Sequence, residues 1–512
     1  MERPNGDYHL PAGDTGGEGL HLRPNLQGLA YVADRDRPLP QPPAALPLVV
    51  DLDGTLVKTD LLAESMIALL RRNPLYLAVL PVWLLKGTAN LKREVGRRVA
   101  LDVSLLPYQS RLVDYLKAQR QKGRRLVLAT GADEFLALQV AEHLQLFDMV
   151  ISSNGTQNLS PRRKRDRLVE KFGEQGFDYA GNERGDHIVW RSARRAIVVR
   201  PELGARRAAA RVARVDEVFD DDRESLRSYL RALRLHQWLK NLLVFVPLVA
   251  AHRVTELALS GRALLAFLAF GLCASSGYLL NDLLDLTSDR RHPRKRRRPF
   301  ASGEISLLTG LFLIPALLAM SGLLGLLLPP GFVVMLGIYY GVSLAYSLSL
   351  KHHALFDVIV LAGLYALRVA AGSAAVRIWP SPWLLAFSIF LFLSLALVKR
   401  YAELVAGTGA GSAATRGYQP GDGDLLAAMG TASGYVAVLV LAIYIASGTA
   451  QLLYSRHEFI WLLCPLLLYW ISHVWLMAHR GKMNDDPLVF ALKDRASWIV
   501  LLLAALTLLL AV

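Results

Sequence analysis

Long apolar runs fill the second half of the chain. Nine of them, roughly 239–252, 262–281, 304–328, 331–349, 354–376, 383–398, 426–449, 458–478 and 496–512, are separated by polar connections. About 20 apolar residues carry an α-helix across the hydrocarbon core of a bilayer, so the runs predict a polytopic, all-α membrane domain of nine helices, the first being short for a span. Charge alternates between the two sets of loops. Lys and Arg collect in 282–303, 350–353, 399–425 and 479–495; the opposite connections hold only Arg253 and Arg262, then none around Pro329, then Arg377 and Arg456. By the positive-inside rule the basic loops and the upstream chain face the cytoplasm, and the C-terminus ends outside.

The pattern upstream is different. Residues 1–45 are rich in Gly and Pro and predict disorder. From 46 to 200 the pattern is that of a soluble, Rossmann-like α/β domain. Leu46–Leu52, Leu126–Leu128 and Met149–Ser152 read as buried strands with helical stretches between them, hence a parallel sheet. Residues 61–87 are unusually apolar, yet Arg71, Arg72 and Pro74 divide them into pieces too short to span. Two readings stand: a cap lying on the membrane, or an ordinary packed insert. A charged, helical connector, 201–235, leads to the membrane domain, 236–512.

Composition narrows the partners. Hydrophobic residues make up 53% and the formal net charge is +15. In a membrane protein that excess meets the cytoplasmic leaflet, so nucleic acid need not be invoked. The two cysteines, Cys273 and Cys464, are far apart in apolar runs and imply neither a disulfide framework nor a zinc site.

The sharpest chemical signal lies where the second apolar run ends. At about 100° of rotation per residue, Asn281, Asp282, Asp285 and Asp289 share one narrow arc of a helix. Carboxylates crowded at a membrane border repel one another unless a cation stands between them, and Mg²⁺ bridging a diphosphate suits that place. A basic cluster, Arg290 to Arg298, follows at once and would meet phosphate oxygens. In the soluble domain, Asp51-Leu52-Asp53-Gly54-Thr55-Leu56 follows the first strand. That spacing suits covalent phosphoryl transfer: Asp51 attacks phosphorus, Asp53 protonates the leaving group and then activates water, and Mg²⁺ offsets the phosphate charge.

The hexapeptide resembles the first motif of the haloacid-dehalogenase (HAD) superfamily, over about residues 46–195. The resemblance implies that Thr130, in Leu128-Ala129-Thr130-Gly131-Ala132, holds a phosphate oxygen, that Lys164 neutralises the phosphoryl group, and that Asp186 joins Asp51 and Asp53 at the metal. Neighbouring Arg162, Arg163 and Arg165 leave the lysine assignment open. Asn182 stands where that family commonly has Asp, which removes one carboxylate from the metal set.

The Asp-rich stretch resembles the NDxxDxxxD motif of the UbiA superfamily of intramembrane prenyltransferases, over about residues 225–512. Their second motif is usually DxxxD; here only Asp357 remains, because Leu361 takes the second acidic position. Cations appear instead: Lys240 in Gln237-Trp238-Leu239-Lys240-Asn241, Arg298 before Pro299-Phe300, Lys351 after Tyr346-Ser347-Leu348-Ser349-Leu350, Arg368 deep in an apolar run, and Lys399-Arg400-Tyr401. Lys351 and Lys399 also read as helix-end markers of the positive-inside rule. An unpaired charge at the position of Arg368 is costly and points to function.

The set is similar to one branch, the polyprenyl-phosphate phosphoribosyltransferases. The resemblance implies Mg²⁺ on Asn281, Asp282, Asp285, Asp289 and Asp357, with Asp282 and Asp285 stabilising the departing diphosphate. Lys240, Arg298, Tyr346, Lys351, Arg368, Lys399 and Arg400 would hold the donor, phosphoribosyl diphosphate, and the acceptor, a polyprenyl phosphate lipid. It further implies a bacterial cytoplasmic membrane and a product that feeds arabinofuranose donor synthesis. A homo-oligomer is compatible with it. The HAD-like domain would then remove the 5-phosphate from the product. The competing enzymatic reading is an aromatic-acceptor prenyltransferase using an allylic diphosphate, which favours a complete second acidic motif. A transporter or lipid-binding protein is the non-enzymatic alternative.

Overall fold

A computed structural model describes residues 46–153, 159–220, 225–405, 417–447, 454–483 and 487–511. The N-terminal stretch read as disordered lies outside them. The soluble domain is built on six parallel strands: β1 (Leu48–Val50), β2 (Leu126–Asp133), β3 (Met149–Ser153), β4 (Asp178–Gly181), β5 (Arg195–Val199) and β6 (Arg214–Phe219), in the order β3-β2-β1-β4-β5-β6. Strand β1 is central and apolar on both sides. Leu48 and Val50 enter one buried cluster and Val49 the other, as a strand covered on both faces requires.

The sheet exceeds the three expected strands. The last strand, β6, falls inside the stretch expected to be a helical connector, which therefore completes the sheet before it turns helical. Arg214, Asp216 and Glu217 are exposed on this edge, so its pattern is too polar to announce a strand.

Helices α1 (Leu61–Arg72), α2 (Tyr76–Leu85) and α3 (Thr88–Gly96) form an insert after β1. Asp60 caps α1 by accepting from the Ala63 N–H at 2.8 Å. Helices α4 (Ser110–Gln121), α5 (Glu134–Leu144), α6 (Pro161–Phe172), α7 (His187–Trp190) and α8 (Ala205–Val212) complete the domain, and α9 (Leu226–Ala232) leads out of it.

The membrane domain starts with a 3₁₀ segment, Leu235–Phe245, continued by α10 (Val246–Ala250). Then come α11 (Leu257–Leu284), α12 (Leu286–Arg291), α13 (Leu307–Gly325), α14 (Pro330–Leu348), α15 (Phe356–Val376), α16 (Pro382–Val405), α17 (Gly423–Ala446), α18 (Leu463–His479), α19 (Pro487–Lys493) and α20 (Arg495–Ala511). Among the described residues seven helices are long and apolar enough to cross a bilayer, against the nine expected. The first and last apolar runs form the shorter segments Leu235–Ala250 and Arg495–Ala511. The 3₁₀ part of the first, Leu235–Phe245, is wedged between α11 and α15. A Cβ added at Gly372 of α15 would sit 2.1 Å from the Val244 carbonyl, so only glycine admits the wedge.

The two domains share a core. Ala63 and Ile67 of α1 pack with Leu279, Leu283, Leu286 and Phe300 at the Asp-rich end of the bundle. Within this contact the Arg290 guanidinium grips Glu64 in a two-pronged pair, at 2.8 and 2.5 Å, and donates to the Ala301 carbonyl at 3.1 Å. Both side chains are buried. Arg200, just after β5, donates to the carbonyls of Lys58 (3.1 Å) and Gly303 (2.9 Å). The C-terminal edge of the sheet thus faces the Asp-rich loop.

Candidate active sites

In the soluble domain, neighbouring strands deliver the motif residues to one edge of the sheet. Asp51 follows β1, Thr130 lies in β2, and Asn182 follows β4; ligands of open parallel sheets bind at such strand ends. The Asp51 Oδ1 accepts from the Leu52 N–H at 2.9 Å and from the Lys164 ammonium at 2.8 Å. Lys164 projects from α6 and is buried, and it also donates to the Tyr179 hydroxyl at 3.0 Å. Of the four adjacent cations, Lys164 is thus placed against Asp51.

Tyr179, a residue the sequence did not flag, relays onward to the Asp186 Oδ1 at 2.9 Å. The Asp186 Oδ2 accepts from the N–H groups of Asn182 and Glu183, each at 3.0 Å. Asp186 therefore organises the loop after β4, and burial together with the Asp51 charge pushes its carboxyl up to about 6.

Gly54 has φ +72°, and a Cβ there would lie 2.4 Å from the Asn182 amide nitrogen. The Asn182 carbonyl oxygen accepts from the Thr55 hydroxyl at 3.0 Å. The Thr130 hydroxyl is buried and accepts from the Ala132 N–H at 2.9 Å. Asp53 accepts from the Leu61 N–H at 2.9 Å, at the start of α1. Desolvation, then the Asp60 and Asp51 charges, push its carboxyl up to about 8. A pocket opens beside it, lined by Asp60, Leu61, Ser65, Lys92 and Asp133.

At the end of the bundle, the expected arc of four polar groups divides. Helix α11 stops at Leu284 and α12 begins at Leu286, with Asp285 between them at φ −93°, ψ 9°. Two pairs result. Arg298 Nη1 stands between the Asp282 Oδ1 (3.0 Å) and the Asp289 Oδ2 (2.7 Å). Lys351 Nζ stands between the Asn281 Oδ1 (3.3 Å) and both Asp285 oxygens (2.9 Å each). On an unbroken helix positions seven apart differ by about 20° and positions four apart by about 40°; the break at Asp285 and the two cations set the pairing. Arg234, which the sequence did not flag, also donates to Asp282. Burial pushes the Asp289 carboxyl up to about 6, against the pull of Arg298.

The remaining candidates divide again. Arg368 is buried without a carboxylate partner among the described residues. It donates to the Asn241 side-chain oxygen (3.0 Å), the Leu364 carbonyl (2.5 Å) and the Tyr339 hydroxyl (2.9 Å), and lies over the rings of Phe270, Tyr339 and Tyr365. Lys240 stands over the same Tyr365 ring, 5.5 Å from its centroid. Asp357 is fully buried; one oxygen accepts from Arg400 and the other from the Tyr418 hydroxyl. Arg400 spends its other nitrogens on Glu403 (2.6 Å) and the Tyr346 hydroxyl (3.3 Å). Asp357 thus anchors Arg400. Lys399, next to Arg400, is half-buried.

Among the described residues no three carboxylate, imidazole or thiolate groups converge on one point. The two pairs nonetheless suit Mg²⁺, which commonly takes one or two carboxylates and completes its shell with substrate phosphate and water. In each pair a side-chain cation already bridges the two oxygens, which marks a place fitted to positive charge.

Residues 242–493 match the UbiA prenyltransferase family. The uncharacterized protein y4nM of Sinorhizobium fredii is 36% identical over 464 residues, 89% of each chain, and so spans both domains. Decaprenyl-phosphate phosphoribosyltransferase of Mycobacterium tuberculosis is 30% identical over 271 residues, 52% of this chain and 88% of the relative. Among solved structures, a UbiA homolog from Archaeoglobus fulgidus bound to DMAPP and Mg²⁺ covers 55% of this chain and 96% of its own, at 20% identity and TM-score 0.44. A HAD family hydrolase from Salmonella enterica covers 34% of this chain and 68% of its own, at 14% identity and TM-score 0.27. The chain belongs to the UbiA prenyltransferase family and carries a parallel-sheet α/β domain ahead of its membrane domain.

Proposed function

We propose that the membrane domain transfers 5-phosphoribosyl from phosphoribosyl diphosphate to a polyprenyl phosphate, and that the HAD-like domain then removes the 5-phosphate. One observation carries the reading: acids and cations alternate, with Arg298 on Asp282 and Asp289 and Lys351 on Asn281 and Asp285. A site of mixed sign suits a donor with several phosphates, where some oxygens take metal and others take Lys or Arg. Mg²⁺, held by Asn281, Asp282, Asp285 and Asp289, would supply charge stabilisation for the departing diphosphate.

The chain's own groups do the rest. Arg298, Lys351 and Arg234 swing from carboxylate to phosphate oxygens when the donor binds. Arg368 and Lys240, set among aromatic rings, hold the acceptor's phosphate. An acceptor phosphate oxygen forms the bond to C1 as the C1–O bond to diphosphate breaks with its electron pair. The nucleophile is already an anion, so no base is required. An aromatic acceptor would have to lose a proton, and would want the second acidic face that Leu361 removes and Asp357, tied to Arg400, does not supply.

In the second step the Asp51 carboxylate attacks phosphorus while Asp53 gives its proton to the ribose oxygen that leaves. Asp53 then draws a proton from water, which cleaves the phosphoaspartate. Lys164 neutralises the phosphoryl oxygens. Both sites face the cytoplasm of a bacterial cell, where the charged donor is available.

The test supplies polyprenyl phosphate and labelled phosphoribosyl diphosphate to the purified chain. Wild type should release inorganic phosphate from the new lipid, and Asp51→Asn should accumulate the phosphorylated lipid. Failure of either protein to label the lipid would sink the transferase reading; equal accumulation by both would sink the phosphatase reading.

A further inference from the structure

Helix α2 takes no part in either constellation and is apolar on every side. Its ten residues contain no charge, and none is buried. Leu77 is 68% exposed, and the flanking Leu75 and the terminal Leu85 are 77% and 87% exposed. At about 1.5 Å per residue such a helix is half the length that crosses a bilayer, so it cannot span one. A helix of this kind on a water-facing surface calls for a cover.

Three features specify the cover. Helix α1, joined to α2 through Asn73 and Pro74, is the element docked on the membrane bundle, with Ala63 and Ile67 against Leu279 and Leu283 of α11. The apolar stretch is bracketed by exposed cations, Arg71 and Arg72 before it and Lys86 after it, which suit anionic headgroups. Tyr76 and Trp83 pair at 5.7 Å, with the Arg98 guanidinium 4.7 Å from the Trp83 ring centroid; rings beside cations favour the headgroup level.

We propose that α2 lies in the leaflet of the same bilayer that holds the bundle, and that the phosphatase pocket therefore opens at the lipid surface and takes phosphomonoesters carried on a lipid. The pocket lies within the same insert: Leu61 and Ser65 of α1 and Lys92 of α3 line it beside Asp53, and α2 is the link between those two helices. The substrate half of this inference rests on the phosphatase reading above; the location of α2 does not.

The experiment uses the full chain with Cys464→Ala in liposomes of phosphatidylcholine and phosphatidylglycerol; Cys273 is buried. A Leu85→Cys variant carries an environment-sensitive fluorophore, and Lys122→Cys, exposed at the opposite edge of the sheet, serves as control. Blue-shifted emission at 85, quenched by nitroxide lipids, is expected, with water-like emission at 122. Water-like, iodide-quenched emission at 85 overturns the location. Blue-shifted emission insensitive to nitroxide lipids overturns it too, because protein, such as a second copy, then covers the helix.

A Leu77→Ser/Leu85→Ser variant tests the substrate class. Its kcat/KM for a lipid-borne phosphomonoester should fall about tenfold, while hydrolysis of p-nitrophenyl phosphate stays within about twofold. Equal losses on both esters overturn the substrate class. If wild type hydrolyses neither, the phosphatase reading fails with it, while the fluorescence result still decides where α2 lies.

Discussion

The two candidate sites oppose acid to cation by different means. In the soluble domain the backbone sets the position: Asp51 stands at the end of a buried strand, and a single lysine comes to it from α6. In the membrane domain the acids sit at a helix break, and their partners arrive from distant segments: Arg234 before the first span, Lys351 after α14, and Arg298 from the loop after α12. The first arrangement is rigid and local. The second depends on assembly of the whole bundle. A strand end is suited to a covalent intermediate, which needs one fixed atom, whereas a ring of long cations can adapt to a donor with several phosphates.

That contrast can be broken at its strongest point first. Asp51→Asn removes the nucleophile, and dephosphorylation should fall by about 10³-fold or more with sugar transfer unchanged, measured on labelled lipid. Loss of both activities together would mean that the two sites are not separable. Asp285→Asn should lower sugar transfer about 10²- to 10³-fold, the size typical of losing one preorganised charge at a developing anion, and should leave hydrolysis of added phosphorylated lipid intact. If transfer persists, the Asn281–Asp285 pair held by Lys351 has no role in it.

The interface comes next. Glu64→Ala leaves the Arg290 guanidinium buried without its partner, and such single deletions cost about 3–5 kcal/mol. The melting temperature in detergent should drop, and Glu64→Ala/Arg290→Met should recover most of the loss. A silent Glu64→Ala would mean that water reaches the pair. The smallest effect is expected of Asn182→Asp, which keeps the acceptor of the Thr55 hydroxyl and adds a carboxylate beside Asp51. The Mg²⁺ concentration that half-saturates dephosphorylation should fall about tenfold. No change in a magnesium titration would place Asn182 outside the metal shell.

Local signals were legible in the sequence and remote ones were not. The Asp51-to-Leu56 turn, Thr130 and Lys164 lie within a few residues of the strand or helix that positions them, and a short pattern suffices. That Asn281, Asp282, Asp285 and Asp289 share one face follows from helical angles, but their division into two pairs does not. The same spacing gave no warning of the break at Asp285, because Asp285, Thr287 and Ser288 carry no Gly or Pro to announce it. Strand β6 was hidden by its charged edge, and the wedge at Leu235–Phe245 by an apolar pattern that reads as an ordinary span. Tyr179 and Arg234 escaped because nothing in their neighbourhood shows which distant acid they will touch. Asp357 looked like half of a metal motif, since the sequence cannot show that Arg400 and Tyr418 already occupy both its oxygens.

The grip of Arg290 on Glu64 makes the soluble half a poor candidate for life on its own. Cut free, it would bare a carboxylate and an oily patch around Ile67 that were shaped to be covered, and such fragments tend to clump. Anyone exchanging this module between relatives would have to carry the matching loop with it, because the fastener belongs to both pieces.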